Sequence, residues 1–127
     1  MRARVAASEA DRAATLALRH LCFIEAAGRT GRPDRLETDS FDDLCRHVLI
    51  EEAATGRLVC SYRVLALGSG AEMERSYSAQ YYDLAPMASY PLPMIEVGRF
   101  CMRPGLRDAD ALRLAWGTLV RMVDGAG

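Results

Sequence analysis

The chain has 127 residues, half of them hydrophobic and about a quarter charged, with a net charge near −1. That length fits one domain with a sizeable core, and the near-neutral balance excludes a bulk electrostatic surface for nucleic acid. All sixteen basic residues are arginine, which excludes Schiff-base lysine chemistry and a P-loop lysine and leaves planar, bidentate anion contacts to arginine.

Arg2 to Ala7 reads as a short strand, with no signal peptide expected ahead of it and no run long enough to span a bilayer. Ser8, with Asp11 three residues on, reads as the N-cap of a helix reaching about Ala27. Leu18, Leu21 and Cys22 with Ala14 and Ala17 make its expected core stripe. Gly28 to Asp34 is a loop, and Asp39 to Arg46 a short helix. His47 to Glu51 and Arg57 to Leu67 form two strands joined at Ala53-Ala54-Thr55-Gly56, a hairpin signal. Gly68 to Pro93 is a long irregular insertion carrying four tyrosines, Tyr77, Tyr81, Tyr82 and Tyr90. Met94 to Arg103 is the central strand, and Asp108 to Val123 the last helix, with Leu112, Leu114, Trp116, Leu119 and Val123 as its apolar positions. The order β-α-α-β-β-(loop)-β-α reads as the front part of a larger α/β domain.

The stretch Ile95 to Phe100 carries Glu96 and Arg99 around Gly98. A regular strand points residues three apart to opposite faces, whereas a bulge at the glycine swings both charges to one face. A splayed backbone beside a base suits a reactive carbonyl and an amine, so the segment points toward acyl transfer. Glu96 is the candidate proton acceptor and Arg99 its orienter; a freed backbone N–H at Gly98 would stabilise the developing oxyanion. The rival reading of Glu96 and Arg99 is a structural ion pair.

Asp39 and Asp42 share one side of a helical turn, either as a carboxylate pair for a cationic ligand or as a cap with a solvated neighbour. Arg19 and Phe23 lie four apart on the first helix, an arginine over an aromatic or an amphipathic rim. Arg63 stands on a strand face with Val59, Ser61 and Leu65, so it needs an anion: Asp39, Asp42 or substrate. His20 and His47 lack a catalytic or metal pattern and read as structural. Cys22, Cys45, Cys60 and Cys101 show no paired spacing and read as buried small hydrophobes of a reducing compartment.

The element order resembles the GNAT-fold N-acyltransferases. Arg19 to Phe23, Asp39 to Asp42, His47 to Ile50, Ser61 to Arg63, Gln80 to Pro86 and Glu96 to Cys101 carry the likeness. The chain is most similar to the ornithine acyl-[acyl-carrier-protein] N-acyltransferases, also labelled hemolysin-like, and more distantly to N-acyl-homoserine-lactone synthases. A tryptophan that those synthases carry after the first helix is missing here.

The resemblance implies an α/β, GNAT-like fold covering residues 1–127 as one domain, without the family's C-terminal strands. It implies transfer of a (3-hydroxy) fatty acyl group from acyl carrier protein to the α-amine of ornithine, giving lyso-ornithine lipid. The alternatives are a lactone synthase and a truncated module that binds acyl chains or a partner. Implied partners are acyl carrier protein as co-substrate, an amino acid acceptor, and a second copy of the chain through an open sheet edge. No cofactor, metal or nucleic acid is implied, and the expected place is cytoplasmic, at most peripheral to the inner membrane. Glu96, Gly98 and Arg99 would be catalytic; Arg19, Phe23, Asp39, Asp42 and Arg63 would bind substrate. Acetyl-CoA-dependent relatives present a glycine-rich pyrophosphate turn after the central strand. This chain has Arg103-Pro104-Gly105 there, followed by acidic residues. Arg103 and Arg107 would therefore meet the single phosphate of a carrier's pantetheine arm. The loop tyrosines would line a lipid tunnel or anchor the loop.

Overall fold

The structure, a computed structural model, describes residues 1–31, 33–105 and 109–126. Strand β1 spans Arg2–Val5, and helix α1 spans Glu9–His20. Ser8 caps α1 as expected: its side chain accepts from the Asp11 amide at 3.1 Å, satisfying one of the helix's orphan donors. The helix continues as a π-helical turn, Leu21–Glu25, closed by the Ala26 amide on the Leu21 carbonyl at 2.9 Å. The widened turn aims Cys22 at the Met102 carbonyl and brings Phe23 and Ile24 to a cleft.

The buried residues of α1 are Thr15, Leu16, Leu18, Arg19 and His20, while Ala14 and Ala17 are exposed. Leu18, Leu21 and Cys22 pack into the core as expected, but Ala14 and Ala17 do not, and the reason is electrostatic: Arg19 turns inward to meet carboxylates. The short helix expected from Asp39 is one 3-10 turn, Ser40–Asp43, and Arg46 already belongs to the next strand. Asp39 accepts from the Phe41 amide and Asp42 from the Asp39 amide, a reciprocal cap that stops elongation.

Strands β2 (Arg46–Glu51), β3 (Leu58–Leu67) and β4 (Met94–Met102) complete a four-stranded antiparallel sheet in the order β1-β2-β3-β4. The hairpin between β2 and β3 closes through Gly56, whose φ of 73° suits a residue without a Cβ. The segment between β3 and β4 forms three 3-10 turns rather than open coil. Gly70 permits this folding back, since a Cβ there would lie 1.9 Å from the Met87 carbonyl oxygen.

Helix α2 spans Ala109–Ala126 and covers one face of the sheet, with α1 on the other. Under α2 lie Val48, Ile50, Tyr62 and Val64, met by Ala111, Ala115 and Leu119 at every fourth position. The alanines let the helix approach closely enough for the Tyr62 hydroxyl to donate to the Ala115 carbonyl at 3.2 Å. Leu112, Trp116 and Val123, expected as core, face outward instead. Apolar residues run around most of this helix, so hydrophobicity alone could not select the buried stripe. Among the described residues, β4 pairs only with β3, and no helix is long and apolar enough to cross a membrane.

Candidate active site

On the α1 side, β3 presents Ser61, Arg63 and Leu65, opposite Cys101, Gly98 and Glu96 of β4. The register slips between Ser61 and Arg63: β4 takes three steps from Gly98 to Cys101 while β3 takes two. Arg99 and Phe100 thus oppose Tyr62 together, which is the bulge anticipated around Gly98. The residue that turns the chain is Arg99, at φ 50°; Gly98 is not in the left-handed region. Gly98 instead leaves a flat floor under Arg63, whose Nε would lie 3.5 Å from an added Cβ.

Helix α1, the 37–42 segment and the loop carrying Tyr77 converge on this face. Arg63 grips Asp39 with two bonds, at 2.6 and 3.0 Å, and reaches Asp42 at 2.9 Å. Its guanidinium lies 5.8 Å from the Phe41 ring and 5.4 Å from that of Tyr77. Arg19 donates to both oxygens of Asp42, at 2.6 and 3.2 Å, and to Glu37 at 2.6 Å. Arg99 donates to Asp39 at 3.0 Å and lies 5.0 Å from the Tyr77 ring. Three guanidiniums and three carboxylates thus cancel in one network. Arg19 and Asp42 are each 1 % exposed, a degree of burial that charges tolerate only when paired and hydrogen-bonded.

Burial pushes the Asp42 carboxyl up, but Arg19, the Asp39 amide and Thr38 together hold it well below the usual carboxylate range. Asp39 is likewise lowered, burial being outweighed by Arg63. Burial also lowers the His47 imidazole, whose Nε2 lies 2.9 Å from the Asp42 carbonyl. The hydrogen bond with Arg99 holds the Tyr77 phenol below its ordinary value.

These contacts bear on each sequence expectation in turn. Arg19 turns to Asp42 and Glu37 rather than stacking on Phe23. Asp39 and Asp42 are occupied by internal donors on all four oxygens, so the pair holds the fold's own cations rather than a ligand's. Arg63 finds its anion in both aspartates. Arg99 does not orient Glu96: its positive φ carries the guanidinium to Asp39 and Glu37. Glu96 is held by the amides of Tyr77 at 2.8 Å and Ser78 at 3.1 Å. It borders an enclosed cavity of about 40 Å³ with Cys45, Arg63 and Gly98, room for one water. Arg103 donates to the Leu58 carbonyl at 2.8 Å, and Arg107 lies outside the described residues.

Glu37 is the residue sequence reasoning missed, and Tyr77, expected to line a lipid tunnel or anchor the loop, stands at this site instead. Two buried arginines and the half-buried Arg99 call for three acids, and that count was the available signal for Glu37. Tyr77 separates the Glu96 cavity from an open cleft of about 520 Å³ that reaches the bulge. Phe23, Arg29, Glu37, Arg99 and Phe100 line the cleft with it.

The antiparallel sheet between two helices, with its bulged fourth strand, is an α/β domain, and the sequence matches the acetyltransferase (GNAT) domain over residues 18–117. The chain belongs to the GNAT acetyltransferase-domain family. An L-ornithine N(alpha)-acyltransferase of Rhodobacter capsulatus is 32% identical across 94% of this chain and 50% of its own length. A second L-ornithine N(alpha)-acyltransferase, from Brucella abortus, is 29% identical across 89% of this chain and 44% of its own. The chain spans about half the length of these curated relatives. No solved structure matches it.

Proposed function

We propose that the chain carries the acyl-transfer site of an ornithine N-acyltransferase, moving a fatty acyl group from acyl carrier protein to the α-amine and giving lyso-ornithine lipid. The observation that carries this reading is the bulge at Arg99 and Phe100, which opens onto the polar cleft. There the amine would attack the thioester carbon, and backbone N–H groups outside the regular ladder would bind the oxygen as it gains charge. Glu96 would take the amine's proton, through a water in the small cavity beside it. The carrier thiol leaves with the pantetheine arm. Arg103 at the end of β4, with Arg107, fits a donor bearing one phosphate, since the turn lacks the glycine-rich pyrophosphate cradle.

The test is incubation of the purified chain with 3-hydroxyacyl carrier protein and ornithine, following thioester loss and acyl-ornithine by mass spectrometry. Turnover that required S-adenosylmethionine would move the assignment to lactone synthesis. Glu96→Gln should lower kcat about 100-fold or more, with far-ultraviolet circular dichroism retained. An unchanged rate would remove Glu96 from the proton path.

A further inference from the structure

An enzyme that acylates a diamino acid must recognise a second ammonium, and the two aspartates that the sequence offered for this are saturated by arginines. Among the described residues lining the open cleft, Glu37 carries the one carboxylate. Its two oxygens differ. Oε2 accepts from Arg19 at 2.6 Å, while Oε1 accepts no hydrogen bond among the described residues. The Nε of Arg99 lies 3.3 Å from Oε1, but out of line, and is itself a buried donor without a hydrogen-bond partner. Arg29, on the same cleft, is exposed and forms no ion pair among the described residues. The cleft therefore offers a carboxylate oxygen whose one contact among the described residues is the 3.3 Å ion pair with Arg99, and beside it the exposed cation of Arg29, unpaired among those residues.

We propose that this cleft is the acceptor site, in which Glu37 Oε1 receives the side-chain ammonium of the diamino acid and Arg29 its α-carboxylate. This rests on the acyltransferase reading above and adds a specificity-determining residue to it. The α-amine is then left to face the bulge at Arg99 and Phe100. Arg19 is a positioning residue, since it fixes Glu37 through Oε2 and touches no part of the cleft. Tyr77, shared by this cleft and the Glu96 cavity, is the wall the departing proton must pass.

The experiment compares ornithine with norvaline, which has the same carbon skeleton without the second amine. Amide shifts of the wild-type chain titrated with ornithine should localise to residues 23–29, Glu37, Tyr77 and Arg99–Phe100; shifts confined elsewhere, or none at millimolar ligand, overturn the proposal. Glu37→Gln should weaken ornithine about tenfold while leaving norvaline unchanged, the size expected for one charge-assisted hydrogen bond. Arg29→Ala should weaken both ligands alike. A Glu37→Gln chain that keeps the wild-type preference for ornithine sinks the assignment. If that variant does not fold, the wild-type shift map and the Arg29→Ala titration decide it. Acyl transfer is measured in parallel. Binding with the expected selectivity but no transfer upholds the site and removes the acyltransferase reading. Transfer to ornithine with KM unmoved by either substitution does the reverse.

Discussion

Two sets of charges lie side by side against the same sheet and behave oppositely. Around Asp42 every oxygen and guanidinium is matched, and Arg19, Asp42 and Arg63 are all buried. Along the cleft, among the described residues, Glu37 Oε1 and Arg99 Nε form no hydrogen bond and share only a 3.3 Å ion pair, and Arg29 joins no ion pair. The saturated set fixes the positions of α1, the 37–42 loop and β3. The unsaturated set has capacity left for a ligand. Saturation, rather than charge itself, separates framework from site.

The largest expected effect comes from breaking the saturated set. Asp42→Ala would strand Arg19 and Arg63 in the interior without a full complement of acceptors. Removing one partner of a buried pair costs about 3–5 kcal/mol, a large fraction of the stability of a domain this size. Urea unfolding measures it, and a loss below 1 kcal/mol would mean that water enters the network and that the contrast with the cleft is false.

Acid tests the same set more gently. Asp39 and Asp42 have folded-state pKa values below their ordinary ones, so their contribution is complete above the unfolded range and is lost as pH falls. The decline should begin near pH 4, where unfolded carboxylates start to bind protons (~3.9 for Asp), and continue below it. His47, lowered by burial, adds a shallower loss starting near pH 6.5. Urea midpoints from pH 7 to pH 3 should show both phases, and Asp42→Asn should flatten the lower one. An unchanged acid limb in that variant would place the proton-linked stability elsewhere.

Much of this arrangement was legible in the residues, for reasons that differ from place to place. Arg63 on an apolar strand face demanded an anion, and Asp39 with Asp42 supplied it. Opposite charges flanking Gly98 announced a disturbed strand, and the bulge is there. Its pivot was misplaced because glycine is the default for positive φ. Arg99 holds that conformation, at a cost of about 1–2 kcal/mol, because Asp39, Glu37 and Tyr77 fix its side chain. Glu37 stayed hidden because an irregular loop has no periodicity to place one of its residues against a helix. The same holds for the Tyr77 and Ser78 amides on Glu96, which are backbone groups and leave no trace in residue type. The outward face of α2 was read as core because Leu112, Trp116 and Val123 are as apolar as the buried Leu119.

The smallest effect on stability is expected at Arg29, and it is the sharpest test of the contrast. Its side chain is exposed at the cleft and joins no hydrogen bond or ion pair among the described residues, so Arg29→Ala should change the urea midpoint by no more than ±0.5 kcal/mol. Acceptor affinity should fall all the same, because the α-carboxylate loses its cation. A residue of the saturated network cannot separate the two readouts: any substitution there that weakens binding also loosens the elements that shape the cleft. If Arg29→Ala destabilised the chain as Asp42→Ala does, the cleft would be part of the framework, and the open oxygen of Glu37 would be an ordinary surface lone pair.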